Sequence, residues 1–127
     1  MKFRNINHII IFGGSRCCAE LSLYLAKSKN YSLDIFTCDR QLNEIIYPTG
    51  ETLREFFNKN SISFNSTDDI NEDLKSSDII TKKSLGIGIG EAWGFSRDII
   101  DRFNGHLIDL MGIRLPQYRG GAHYTWQ

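Results

Sequence analysis

Residues 110–127, LMGIRLPQYRGGAHYTWQ, gather residue types that bind and orient small anionic molecules. Arg114 and Arg119 carry forked guanidinium donors that match phosphate or carboxylate through paired hydrogen bonds. Leu115–Pro116 fixes an extended turn, and Gly120–Gly121 lets backbone approach a ligand closely. The same residues also suit an arginine-bearing surface loop, and both readings stand at this level. A second stretch, GIGIGEAWGF over residues 86–95, places glycines at a strand end ahead of Trp93 and Phe95. Such a combination makes a flat slot for a planar heterocycle, or packs Trp93 beneath the following helix. A third, GGSRCC over residues 13–18, offers two adjacent glycines where a dinucleotide fingerprint needs G-x-G-x-x-G. Asp39 lies where a ribose-binding acid would sit, but the incomplete fingerprint favours a tight turn whose helix N-terminus holds some anion.

The 127-residue chain suits one domain with one modest core. Lysine plus arginine balances aspartate plus glutamate at 15 each, so no global field recruits nucleic acid or an anionic membrane. The longest apolar run, HIIIFGG, is too short to span a bilayer, and the basic start lacks a small-residue cleavage site. Cys17, Cys18 and Cys38 match neither a disulfide framework nor the paired spacing of a zinc site. Reduced thiols in the cytoplasm, with no metal site, are the expectation. Cys17 and Cys18 open a helix, where the dipole favours thiolate, yet no histidine is placed as a partner. Inert buried thiols are the simpler reading.

The elements that must position these segments follow from pattern. NHIIIFG (7–13) is a continuous apolar run that suits a strand buried on both faces. A helix follows, with Ala19, Leu21, Leu23, Tyr24 and Leu25 at helical spacing and Asn30 as its stop. SLDIFTC (32–38) completes a strand–helix–strand unit with a right-handed crossover. PTGETLREFFNKN (48–60) predicts a helix capped by Thr49 with Leu53, Phe56 and Phe57 on one face. SISFNS (61–66) alternates Ile62 and Phe64 as a third strand. An acid-rich helix then buries Ile70 and Leu74, and a fourth strand ends in the glycines of residues 86–90. Ser96 caps the clearest helix, with Phe95, Ile99, Ile100 and Phe103 apolar and Gly105 as its end. HLIDLMGI (106–113) is the last strand. Alternating β and α elements predict one α/β domain with an open, mainly parallel sheet, spanning residues 1–127. Ligands in such sheets sit beyond the carboxyl ends of the strands, and all three chemistry-bearing segments fall there.

The string Leu115-Pro116-Gln117-Tyr118-Arg119-Gly120-Gly121, after an apolar strand, resembles the formyltransferase family. Members carry a segment close to N-x-H-P-S-x-L-P-x-Y-R-G on a Rossmann-like N-terminal domain that binds 10-formyltetrahydrofolate. GIGEAWGFSRDIID also looks like the family's folate-side loop and the helix after it. The resemblance implies that Gly88, Gly90, Glu91, Ala92 and Trp93 hold the pterin side of the cofactor. It implies that Arg114, Pro116, Tyr118, Arg119, Gly120 and Gly121 bind substrate where formyl donor and amine acceptor meet. Trp126 would pack beneath them at the start of a further helix. Counting back from Pro116, the catalytic asparagine and histidine positions are held by Asp109 and Met111.

Those replacements matter chemically. The family's asparagine amide and histidine ring donate to the oxyanion formed when an amine attacks the formyl carbon. Met111 has no N–H, and an ionised Asp109 adds negative charge where negative charge develops. Losing one such donor typically costs ~100- to 1,000-fold in rate. Rescue would need a buried, neutral Asp109, or His106 or His123 turned into the cleft. The family's third catalytic residue, an aspartate, would fall beyond Gln127, so the expectation is an N-terminal domain that ends before its sheet and site are complete. The acceptor implied is a small-molecule amine, first an amino-sugar nucleotide whose diphosphate the arginines hold; methionyl-tRNA fits less well without a basic surface. The other reading is a non-catalytic relative that binds folate or a nucleotide, or serves as an interaction module. A dinucleotide-binding regulator using Asp39 is the third.

Overall fold

The computed structural model describes residues 5–90 and 93–110. Glu91, Ala92 and the segment from Met111 through Gln127 lie outside the described residues, and with them every proposed substrate-binding position. Met111, His123 and Trp126 share that status.

The run HIIIFG becomes β1 (His8–Gly13), and its apolar residues point alternately to the two faces of a sheet. The chain continues through α1 (Ser15–Ser28), β2 (Ser32–Thr37), a short α2 (Asp39–Leu42), α3 (Leu53–Lys59) and β3 (Asn65–Ser66). It then forms α4 (Ile70–Lys75), β4 (Ser84–Ile89), α5 (Arg97–Arg102) and β5 (Leu107–Leu110). The sheet has five strands in the order β3-β2-β1-β4-β5, every pairing parallel. β1 is central, with Phe12 opposite Phe36 on one side and Gly88 on the other. Among the described residues, no helix is long and apolar enough to cross a membrane.

Two apolar clusters cover the two faces. Ile9 and Ile11 pack with Leu25, Ile35, Leu42, Leu53, Phe57 and Ile87 beneath α1 and α3. Ile10 and Phe12 pack with Phe36, Ile70, Leu74, Ile99 and Phe103 beneath α4 and α5. Phe12 centres the second cluster: its ring lies 5.8 Å from Phe36, 4.9 Å from Phe95 and 6.1 Å from Phe103. Gly86 lets this layer close, because a Cβ there would stand 2.7 Å from Leu107 and 2.8 Å from the Phe103 ring.

The structure departs from the sequence pattern in several places. Pro48–Glu51 is a turn, closed by Ile45 bridging Thr52, and the α3 cap is Thr52, not Thr49. Thr52 Oγ1 accepts from the Glu55 N–H while the Glu55 carboxylate accepts from the Thr52 N–H, a reciprocal pair that Thr49 cannot make. The third strand shrinks to Asn65–Ser66, since Ile62 and Phe64 turn into the α3 cluster instead of alternating along a ladder. Helix α1 ends at Ser28, two residues before Asn30, with Lys29 in the left-handed region at φ +62°. Its buried stripe is Cys18, Ala19, Ser22 and Leu25; Tyr24, about 100° further round, is 72% exposed. Helix α5 ends at Arg102, and Asn104 and Gly105, both at positive φ, reverse the chain into β5. Ile100 is 44% exposed and faces a groove. The Met111–Ile113 part of the last strand lies outside the described residues.

Truncating Phe12 to alanine removes the one ring that all three aromatic neighbours share. The expected loss is ~3–5 kcal/mol, a large part of the stability of a small domain. Urea unfolding of Phe12→Ala measures it, with Tyr24→Ala as an exposed control expected to stay within about 0.5 kcal/mol of the parent.

Candidate functional site

In this strand order the crevice between loops opens where the order reverses, at the carboxyl ends of β1 and β4. Here the ends of β1 and β4 approach closely. A Cβ on Gly13, whose φ is +140°, would lie 1.9 Å from the Ile89 carbonyl oxygen. The next amide, Gly14 N–H, donates to that same oxygen at 3.1 Å. The Gln41 side chain from α2 fills the remaining space, and a Cβ on Gly14 would stand 2.8–2.9 Å from it. Gln41 Nε2–H donates to the Gly90 carbonyl at 2.7 Å, and the Cys38 thiol lies 3.7 Å from Gln41 Oε1. The glycines of GGSRCC therefore serve a close strand-to-strand passage between β1 and β4.

Asp39 stands at the rim of β2 as the first residue of α2, with its side chain 73% exposed. It accepts a hydrogen bond from Ser66 Oγ at 2.7 Å and faces Arg54 Nη2 at 3.6 Å. These contacts join the ends of β2 and β3. Cys17, in the first turn of α1, is exposed, whereas Cys18 and Cys38 are buried. Burial pushes the Cys18 thiol up to about 12. Cys17 thus departs from the expectation of inert buried thiols, because the turn before it points it outward while its neighbour enters the core.

The segment after β4 leads to the other candidate residues. Gly88 lies inside β4, buried, with Phe12 and Asp109 as its ladder partners; it is a strand residue and not part of a loop. Gly90 ends the strand at φ +59° with open space where a Cβ would be. Trp93 is half-buried and packs with Phe95 against the Phe12 cluster, which is the packing alternative for this aromatic. Asn71 of α4 holds the far end of the connection. Its Nδ2–H donates to the Gly94 carbonyl at 2.8 Å, and its Oδ1 accepts the Ser96 N–H at 2.8 Å. Ser96 caps α5 as expected, accepting from the Ile99 N–H.

Asp109 lies one residue before the end of β5, opposite Gly88. It is exposed and borders a groove of about 310 Å³ with Phe95, Ile100, Gly105, Leu107 and Ile108. The burial on which a neutral, proton-donating Asp109 would depend is therefore missing among the described residues. His106 precedes β5, at the opposite end of the strand, roughly 10 Å away by strand rise.

The amino edge of the sheet carries a cluster that sequence reasoning passed over. His8 Nε2 lies 2.6 Å from Asp34 Oδ2, and His8 Nδ1 lies 2.9 Å from Ser84 Oγ. The linkage is Ser–His–Asp in order, beside an open cleft of about 620 Å³ that Lys82 and Lys83 also line. It lacks the other requirements of a nucleophile. Ser84 is 0% exposed, and its oxygen already accepts the Thr81 N–H at 3.0 Å. The group ties the starts of β1, β2 and β4 together. Polar residues within apolar runs were the available signal, but nothing in the sequence pairs them. Gln41 and Asn71 were missed for the same reason: each acts on backbone far along the chain. Among the described residues no group of three or more His, Cys, Asp or Glu side chains is placed to hold a metal ion.

The described residues define a parallel α/β domain of Rossmann-like arrangement in which Gln41 joins the β1–β4 ends and β4 and β5 end side by side. Comparison with protein-family models, with curated proteins and with solved structures finds no match for this chain.

Two outcomes are expected. NADH titrated against the protein gives no saturable change in fluorescence, and Asp39→Ala changes nothing; saturable binding abolished by Asp39→Ala would refute the structural roles of Gly13 and Asp39. The Cys18 thiol has its folded value raised above the ordinary 9.0, so its contribution to stability is complete below about pH 9 and is lost as pH rises toward 12. The expected slope is ~1.4 kcal/mol per pH unit in that window. Urea midpoints for the parent and Cys18→Ala across pH 8 to 11, about the span in which the thiol of an unfolded chain ionises, measure it; parallel slopes would count against it.

Proposed function

We propose that this chain is a formyltransferase-like domain that binds 10-formyltetrahydrofolate at the carboxyl edge of the sheet. The carrying observation is the β4–β5 register, in which Ile89 pairs with Leu110. The proposed folate segment and the segment carrying the LPQYRGG string thus depart from adjacent strands at one end of the sheet. Gln41 packs beside the β1–β4 ends, and a groove of about 310 Å³ runs along β5 beside α5, bordered by Asp109. Gly90, Glu91, Ala92 and Trp93 receive the pterin in this reading, with Gly88 setting the strand beneath them. Arg114, Pro116, Tyr118, Arg119, Gly120 and Gly121 receive a small-molecule amine, first an amino-sugar nucleotide whose diphosphate pairs with the arginines. We assign the protein to the cytoplasm, where its cysteines stay reduced.

Asp109 and Met111 occupy the positions that would polarise the formyl group. The exposed Asp109 favours a second reading within the same assignment, a domain that binds the donor and transfers it poorly. Isothermal titration of 10-formyltetrahydrofolate against the protein is expected to give saturable binding. Formyl transfer to candidate amines is expected to be slow, and Asp109→Asn with Met111→His is expected to raise it ~100-fold or more. No folate binding would sink the proposal; binding with rapid transfer by the parent would sink the second reading.

A further inference from the structure

The cleft of about 620 Å³ at the amino edge of the sheet is bordered by Asn7, His8, Ser32, Asp34, Lys82 and Lys83. Its volume lies within the range of small-molecule sites. Thr81–Ser84 is a turn, closed by the Ser84 N–H donating to the Thr81 carbonyl at 3.1 Å, with Lys82 and Lys83 at its centre. Further hydrogen bonds hold that turn in place. The Thr81 N–H donates to Ser84 Oγ at 3.0 Å, and the Lys83 N–H donates to Thr81 Oγ1 at 3.1 Å. The Asn7 and His8 N–H groups both donate to the Lys83 carbonyl, at 3.1 and 3.3 Å. Lys82 and Lys83 therefore stand on backbone tied to the start of β1.

The side chains divide into those already engaged and those left over. His8 is held at both ring nitrogens, by Asp34 Oδ2 at 2.6 Å and Ser84 Oγ at 2.9 Å, so it forms a fixed wall. That contact leaves Asp34 Oδ1 as an acceptor, on a side chain that borders the cleft and is 37% exposed. Among the described residues no hydrogen bond or ion pair engages the side chains of Asn7, Ser32, Lys82 or Lys83. Two ammonium groups on consecutive residues repel each other, and a dianion between them removes that cost. Asp34 opposes a bare anion, but a ligand hydroxyl that donates to it turns the repulsion into a contact. Parallel sheets receive ligands at the carboxyl edge, where helix N-termini supply a positive field; at this edge lysine side chains supply it instead. We propose that the cleft binds a small phosphate monoester bearing a hydroxyl group, with the phosphate on Lys82 and Lys83 and the hydroxyl on Asp34. Asn7 and Ser32 complete the donor set. The site is separate from the carboxyl rim and does not depend on the folate reading.

Calorimetric titration of glycerol 3-phosphate against the full chain, with amide chemical shifts followed in parallel, tests the site. Saturable binding is expected, weakened by added NaCl, with shifts at residues 7–8, 32–34 and 81–84. Lys82→Gln combined with Lys83→Gln is expected to weaken binding about tenfold or more. Arg40→Gln combined with Arg97→Gln removes the same charge from α2 and α5 and is expected to leave affinity within about twofold of the parent. Methyl phosphate, which lacks the hydroxyl, is expected to bind about fivefold more weakly than glycerol 3-phosphate. No saturable binding overturns the proposal. Equal losses in the two double variants overturn it too, because they mark a general charge effect. Shifts confined to the carboxyl edge overturn the location. Methyl phosphate binding as tightly as glycerol 3-phosphate overturns the role of Asp34 and the ligand class with it.

Discussion

The end of β1 passes so close to the end of β4 that one atom decides what can stand there. The Ile89 carbonyl would lie 1.9 Å from any Cβ at position 13, and it also accepts the Gly14 N–H. Two strands far apart in sequence are thereby joined beyond their ladder. Helix α1 must start immediately after the contact, with Gly14 extended and no side chain capping it. Gln41 packs against Gly14 and reaches the Gly90 carbonyl, adding a side-chain link to the same junction.

The same logic governs both edges of the sheet. Ladder hydrogen bonds satisfy the strand interiors, but strand ends leave polar groups that need other partners. At the amino edge, His8 links Asp34 of β2 to Ser84 of β4. At the carboxyl edge, Gln41 and Asn71 take the carbonyls and the amide that follow β4. Arg102 does similar work beneath, donating to the Leu74 and Lys75 carbonyls at the end of α4. Apolar packing brings the layers together without specifying where the loops go; these directional contacts do.

That division explains what could be read from the sequence. β1, β2, α1, β4 and α5 are legible because burial writes a period into the residues, and IIIF, LDIF and DIID show it directly. Thr49 and Thr52 differ only by which of them meets Glu55 three positions on, a distinction that the isolated bridge at Ile45 decides. The shortened β3 was illegible because Ile62 and Phe64 alternate like a strand yet are recruited by Phe57. Gly90 lies just beyond the end of β4, where a strand-end glycine is expected. Gly88 was misplaced because glycine in a strand and glycine in a loop look alike when the strand end is unknown. The side-chain amides left no pattern, since their partners are backbone atoms dozens of positions distant.

Binding and chemistry place different demands on this rim. In the proposed folate reading, a ligand resting on Gly90 and Trp93 would meet backbone held from α2 and α4, and none of those contacts involves Asp109. In the same reading, stabilising a developing oxyanion would depend on donors at the end of β5, where the Asp109 side chain is exposed and carries no N–H. Affinity for a ground state and acceleration of a reaction are separate quantities, because only interactions stronger in the transition state raise the rate. A rim built in this way can keep the first while losing the second. Under the proposed formyltransferase reading, the rim at β4 would therefore bear on binding, and the carboxyl group at position 109 on transfer.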